Sequence, residues 1–212
     1  ILATIGNHDS MTWTGYAKKL QDRLAKMPKA KCEGEIGIQH KCIYEGLLLA
    51  ISAIGIKGNN HEQFVEDTLK STDAAFKICM WHKTQRTMQP GDKSDETGWG
   101  IYETCREQGA IVMTAHEHSY SRTHLLSNFE KRTVVNNDSI MVVEPCHSFA
   151  TVTGLGGKEE RPEVTEDSFW RKIQDKFTGR ETPPVKNGPW FAKIYTGTQK
   201  AKAGAVFCTF NI

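Results

Sequence analysis

Two tetrapeptides carry most of the chemistry that this chain could do: Gly6-Asn7-His8-Asp9 and Ala115-His116-Glu117-His118. Each follows a short apolar run, residues 1–5 and 110–114, and a third run, 76–81, leads directly to His82. Neutral imidazole is the commonest side-chain metal ligand. An Asn carbonyl oxygen suits a divalent ion without adding charge. His116 and His118, two apart, face one side of an extended stretch but splay toward two neighbouring ions in a turn. Asn7, His82, His116 and His118 thus offer four metal ligands from three segments. Any one of these histidines alone is more simply a hydrogen-bonded side chain. Three that each follow an apolar run, with Asn7-His8 as well, point to one site.

The elements that must position them alternate. Residues 1–5, 42–51, 53–56, 76–81 and 110–114 read as strands. Between them, Tyr16, Leu20, Leu24 and Met27 recur at helical spacing until Pro28, and Phe64, Val65 and Leu69 do so within 61–71. A further helix over 99–108 stops at Gly109, after a turn-rich loop at 90–98. This alternation up to residue 118 predicts a layered α/β fold. Beyond it, 121–126, 133–135, 140–143, 191–195 and 204–210 are strand-like, and 151–157 is a strand running into a glycine turn. The charged stretch 158–190 reads as a long loop or insertion with a short helix over 168–177. One domain spans residues 1–212.

Composition narrows the class. Lys plus Arg total 27 against 25 Asp plus Glu, a net charge of +2, which argues for neither a nucleic-acid nor a membrane partner. The longest apolar run, 46–55, is too short to span a bilayer. Cys79 and Cys105 have apolar neighbours and read as buried thiols. Cys32 and Cys42 flank a loop at 33–41 and are close enough to bridge. They are either a disulfide, as in an oxidising compartment, or two free thiols. Asn137-Asp138-Ser139 is an N-glycosylation acceptor. Both features lean toward a secreted or extracytoplasmic protein. His40 and His61, in polar segments, read as solvated surface. The first residue, Ile1, lies inside a strand-like run that needs neighbours for its backbone groups, so a longer parent chain is expected.

In their order and spacing, Gly6-Asn7-His8-Asp9, Trp81-His82 and Ala115-His116-Glu117-His118 resemble the calcineurin-like metallophosphoesterases. Residues 115–123 are especially similar to the Gly-His-x-His-x-Tyr-x-Arg segment of purple-acid-phosphatase-type members, with Ala115 where Gly is usual. Thr153-Gly154-Leu155-Gly156-Gly157 resembles the glycine turn that follows the metal site in that family. The resemblance covers about residues 1–157. It implies a β-sandwich flanked by helices, four layers in all, with two ions (Fe, Mn or Zn) above the strand ends. By motif, Asn7, His82 and His116 would bind the second metal and His118 the first. His8 would sit by the substrate phosphate, stabilising the transition state or protonating the leaving oxygen, and Asp9 would orient it through its other ring N–H. Tyr120 and Arg122 would position the His116–His118 turn or touch substrate, or simply pack.

The implied activity is hydrolysis of a phosphomonoester or diester by hydroxide bridging two metals. One departure matters. The family's Asp-x-His and Gly-Asp-x-x-Asp/Tyr motifs, which supply the remaining ligands, have no counterpart before Gly6. Gly91-Asp92-Lys93-Ser94-Asp95 matches in letters but lies after His82 and reads as a turn. The fold is therefore expected to be N-terminally incomplete, and full activity is not expected from residues 1–212 alone. The alternative is a phosphoesterase-like structural or binding glycoprotein module that has lost catalysis.

Overall fold

A computed structural model describes residues 2–163 and 188–211. Its strands are β1 (Lys31–Glu35), β2 (Gln39–Tyr44), β3 (Leu47–Ser52), β4 (Phe76–Met80), β5 (Ile111–Thr114), β6 (Tyr120–Thr123), β7 (Leu125–Asn128), β8 (Thr133–Asn136), β9 (Ala150–Thr153) and β10 (Phe191–Tyr195). Eight of them form one mixed sheet in the order β1-β2-β3-β4-β5-β9-β6-β10, while β7 and β8 form a separate pair. The central strands β3, β4, β5 and β9 are parallel, so their carboxyl ends share one rim. Antiparallel strands flank them on both sides.

Alternation along the central strands gives the sheet two different faces. Leu48, Ala50, Cys79, Val112 and Ala150 point into the main core. They pack there with Val65 and Leu69 of α2 (His61–Lys70) and with Ile101, Tyr102 and Cys105 of α3 (Gly100–Glu107). Leu49, Ile78, Met80 and Met113 instead line an apolar hollow of about 750 Å³, shared with Ala205, Val206 and Phe210. A smaller core joins Trp13 and Leu20 of α1 (Trp13–Leu24) to Ile5, Ile38 and Ala53. The result is a mixed α/β protein around one large sheet.

Several expectations change. Residues 2–6 are not a strand. The Ile5 N–H donates to the Gly37 carbonyl (3.2 Å) and the Thr4 hydroxyl to that of Ser52 (2.8 Å), so the segment is tied down without joining the ladder. The run 42–51 is two strands, because Glu45 and Gly46 at φ 45° and 80° make a tight hairpin turn inside it. Residues 33–41 are not a loop but the end of a second hairpin, with Cys32 opposite Cys42. The 53–56 piece is a turn, and 121–126 divides at His124 into β6 and β7. Neither 140–143 nor 204–210 forms a strand, and Ile140, Val142 and Phe207 are exposed. On α1 the buried residues are Trp13 and Leu20, whereas Tyr16 faces out. His40 and His61 are buried, not solvated. His61 is satisfied by Ser52 Oγ (3.0 Å) and the Lys57 carbonyl (2.9 Å). The helix expected at 168–177 lies outside the described residues. Among those residues no second large sheet is stacked on the first.

The β7–β8 pair is joined to the core through Phe129. Its ring is fully buried and meets Tyr102 edge-on at 5.6 Å, and its N–H donates to Glu103 (2.7 Å). Phe129→Ala should therefore cost about 3–5 kcal/mol of stability, read as a lower urea midpoint at unchanged slope. A midpoint within error of the parent would show that this ring does not join the pair to the core.

Candidate functional site

Ligand crevices in open α/β sheets lie beyond the carboxyl ends of parallel strands, and the candidate residues collect there. After β4, buried Trp81 fixes the chain, its N–H donating to Met113 O (3.2 Å), while the Ala115 N–H donates to His82 O (3.2 Å). These bonds lock the ends of β4 and β5 together. His116 follows with φ +62°, a left-handed conformation that costs a side-chain-bearing residue about 1–2 kcal/mol. Tight backbone bonds hold it there: Glu117 N–H to Ala115 O (2.7 Å) and Ser119 N–H to Glu117 O (2.8 Å). The turn brings His116 Nδ1 to 3.2 Å from His82 Nε2, which is itself 2.8 Å from Asn7 Oδ1. Gly6 permits this approach, since a Cβ there would lie 3.3 Å from the His82 ring and 2.7 Å from Asp9 Oδ2.

Burial, and then the Lys83 charge, push the His82 pKa down to about 4. Burial, followed by Lys93 and Lys83, pushes that of His116 to about 3. Both rings are neutral at pH 7, the form that binds metals. In the tautomer whose Nε2–H donates to Glu96, His116 Nδ1 is unprotonated, and with His82 protonated at its other nitrogen both ring atoms present lone pairs beside Asn7 Oδ1. A cation among the three atoms satisfies all of them, and this donor set fits a divalent ion. The other nitrogen of His116, Nε2, faces Glu96 Oε2 (3.1 Å) and Lys83 Nζ (3.3 Å), and buried Lys83 is ion-paired to Glu96. A carboxylate behind the imidazole is the usual support of a metal-binding histidine.

His8 and His118 line the same cavity of about 340 Å³, together with the cations Lys93, Lys158 and Arg161. His118 stands apart from the trio, its Nδ1 facing the Glu159 carbonyl (2.9 Å). Burial lowers its pKa. The Asp9 carboxylate accepts from the Gly6 N–H (2.9 Å) rather than from the His8 ring, so it closes the turn that carries Asn7. Neither Tyr120 nor Arg122 lines this cavity. Tyr120 borders the apolar hollow, and the Arg122 guanidinium lies over Phe149 and reaches Met141 Sδ (3.3 Å). Cys32 and Cys42 are bonded in their hairpin, and Asn137 is exposed after β8.

Sequence patterns pointed to none of the charged groups around the trio: Lys83, Lys93, Glu96, Lys158 and Arg161 all sit in loops. Glu117 was equally silent. Its carboxylate is fully buried, has no hydrogen bond, and faces Arg161 Nη1 at 3.7 Å. Gly91 makes room for it, because a Cβ there would lie 2.5 Å from Glu117 Oε1. Burial pushes this carboxyl up to about 7 from 4.5.

No family model and no curated protein matches the chain. Among solved structures it is similar to purple acid phosphatase PPD1 from seeds of yellow lupin (Lupinus luteus), at 19% identity and a TM-score of 0.42 over 54% of this chain and 22% of that one. It is also similar to PhoD, at 11% identity and a TM-score of 0.32 over 59% of this chain and 28% of that one. The chain thus spans between a fifth and a third of the length of these two structures.

The buried Glu117 has a pH signature. Between pH 4.5 and about 7 the folded carboxyl keeps a proton that the unfolded chain has lost, so its contribution to stability is full below 4.5 and disappears as pH rises through 7. In metal-free protein, Glu117→Gln should leave the melting temperature near the parent's at pH 4.5 and raise stability by about 3 kcal/mol at pH 8. Equal shifts at both pH values would show that this group does not titrate on folding.

Proposed function

We propose that this chain carries a metal-dependent phosphoesterase site, with Asn7, His82 and His116 holding an ion and phosphomonoesters or diesters as substrates. The observation that carries this reading is the contact of two neutral imidazoles and an amide oxygen at 2.8 and 3.2 Å above the strand ends. An ion held there supplies Lewis acidity toward a phosphoryl oxygen. Around it the chain's own groups have separate tasks. Glu96 and Lys83 fix the His116 ring. Lys93, Lys158 and Arg161 draw an anion into the cavity. His8, exposed at its edge, protonates the leaving oxygen.

The finer reading has His118 serving a second ion, supported by its place in the same cavity. The second sheet of the implied four-layer sandwich would pack on the apolar face that carries Leu49, Met80 and Met113. The Cys32–Cys42 bond and exposed Asn137 support an extracytoplasmic location.

Bound metal, measured by mass spectrometry, and turnover of p-nitrophenyl phosphate test the proposal. His116→Ala should lose both the ion and the rate, and His8→Ala should keep the ion while losing about 10²–10⁴-fold in turnover. If His116→Ala retains both, the site is misassigned.

Glu96→Gln tests the support behind the ligand. Metal affinity should fall about 10–100-fold at unchanged fold, as followed by isothermal titration with Mn²⁺ or Zn²⁺. Unchanged affinity would show that the Glu96 contact does not act on the ion.

A further inference from the structure

The β1–β2 hairpin, at the edge of the large sheet, holds a second cluster of ligating side chains. His40 and Cys42, two apart on β2, face the same side, and Cys32 on β1 is paired directly across from Cys42 with Cα atoms 4.1 Å apart. One ligand atom from each of Cys32, His40 and Cys42 lies within 4.8 Å of the other two. His40 is 2% exposed, and its environment does not account for it. Its Nδ1 has no hydrogen-bond partner, and its Nε2 points at Cys42 Sγ, 3.5 Å away. A sulfur in a disulfide is a poor partner for a buried imidazole. Yet about 3.5 Å is the separation that a nitrogen and a sulfur ligand have around a tetrahedral ion, given metal distances of about 2.0 and 2.3 Å. Cys32 is only half-buried, so an ion can enter from the strand edge.

We propose that reduction of the Cys32–Cys42 bond turns this hairpin into a sulfur-containing metal site, in which Cys32, His40 and Cys42 bind one d¹⁰ cation such as Zn²⁺ or Cu⁺. The hairpin then has two exclusive states. In one, the sulfurs are bonded to each other. In the other, a dithiol reductant has delivered two electrons and two protons, itself becoming a disulfide, and the two new thiols lose their protons to solvent as the ion binds. Three protein ligands leave one coordination position open. Thiolate ligands select soft and borderline ions. The inference is independent of the phosphoesterase reading, whose trio contains no sulfur.

The test uses the whole chain with Cys146→Ser and Cys208→Ser, which removes the two exposed thiols. The protein is reduced with a phosphine and titrated with Co²⁺ as the spectroscopic probe. With Cys79 and Cys105 buried in the folded core, a sulfur-to-cobalt charge-transfer band in the folded protein reports this hairpin. The band should saturate at one equivalent, be absent in the oxidised protein, and vanish in Cys32→Ser. His40→Ala should weaken Co²⁺ binding at least tenfold, and His40→Gln, which keeps a polar side chain of similar length, should do the same if the alanine variant fails to fold. Reduced protein that unfolds and is refolded by the ion also supports the site. No band, a band that persists in Cys32→Ser, affinity unchanged in the folded His40 variants, or a reduced chain that the ion does not restore would each overturn it.

Discussion

Two imidazole nitrogens and an amide oxygen can share one small space only if both rings are kept unprotonated and in place. Here the sheet does both. Backbone bonds from Trp81 to Met113 and from Ala115 to His82 join the ends of β4 and β5, so His82 and His116 cannot drift apart without breaking the parallel ladder. Burial, assisted by the nearby lysines, disfavours protonation of either ring. The strained backbone at His116 belongs to the same arrangement. An ordinary extended residue after Thr114 would continue the strand and carry its ring away from His82. The left-handed turn instead folds it back.

The pattern of apolar runs identified the elements that matter most for this rim. Strands β4, β5 and β9 and helices α2 and α3 follow directly from runs and periodicity, because each is bounded by a turn or a helix stop. The misreadings have specific causes. In 42–51 the turn is made by Glu45 and Gly46 with no break in strand-like composition around them, so two antiparallel strands look like one. Residues 140–143 and 204–210 are apolar in composition but exposed in the fold, and local composition does not say which apolar segment finds a partner strand. His40 and His61 were misjudged for a related reason. Their neighbours in sequence are polar, whereas their burial comes from packing with distant segments.

At the site, His82 and His116 were legible because each closely follows a strand, whereas Asn7 follows an apolar segment that is not one. Their electrostatic setting was not legible. Lys83, Lys93, Glu96, Lys158 and Arg161 come from loops whose course depends on tertiary packing, and a lone Glu or Lys in a loop carries no signal of its own. Asp9 shows a further limit. Its sequence position beside His8 invites a bond between the two side chains, but the nearer donor is the Gly6 N–H, which closes a compact turn.

Glu117 stands between the two histidines of the motif, and its carboxylate faces Arg161, one of the cavity's three cations. Its carboxylate has no hydrogen bond, and Gly91 makes room for it, since a Cβ there would lie 2.5 Å from its Oε1, while Gly154 makes room for its backbone carbonyl, which a Cβ there would overlap. A buried carboxylate with no hydrogen bond is costly, and so is the backbone of His116 next to it. Neither cost is needed to close the sheet, because β5 and β9 are already paired up to Thr114 and Val152. Both fall on the turn that aims His116 at His82, with Arg161 reaching from the cavity wall toward Glu117 at 3.7 Å. Destabilising features gathered in one turn, on a rim otherwise held by regular pairing, are what a fold shows where geometry for a ligand outweighs local stability.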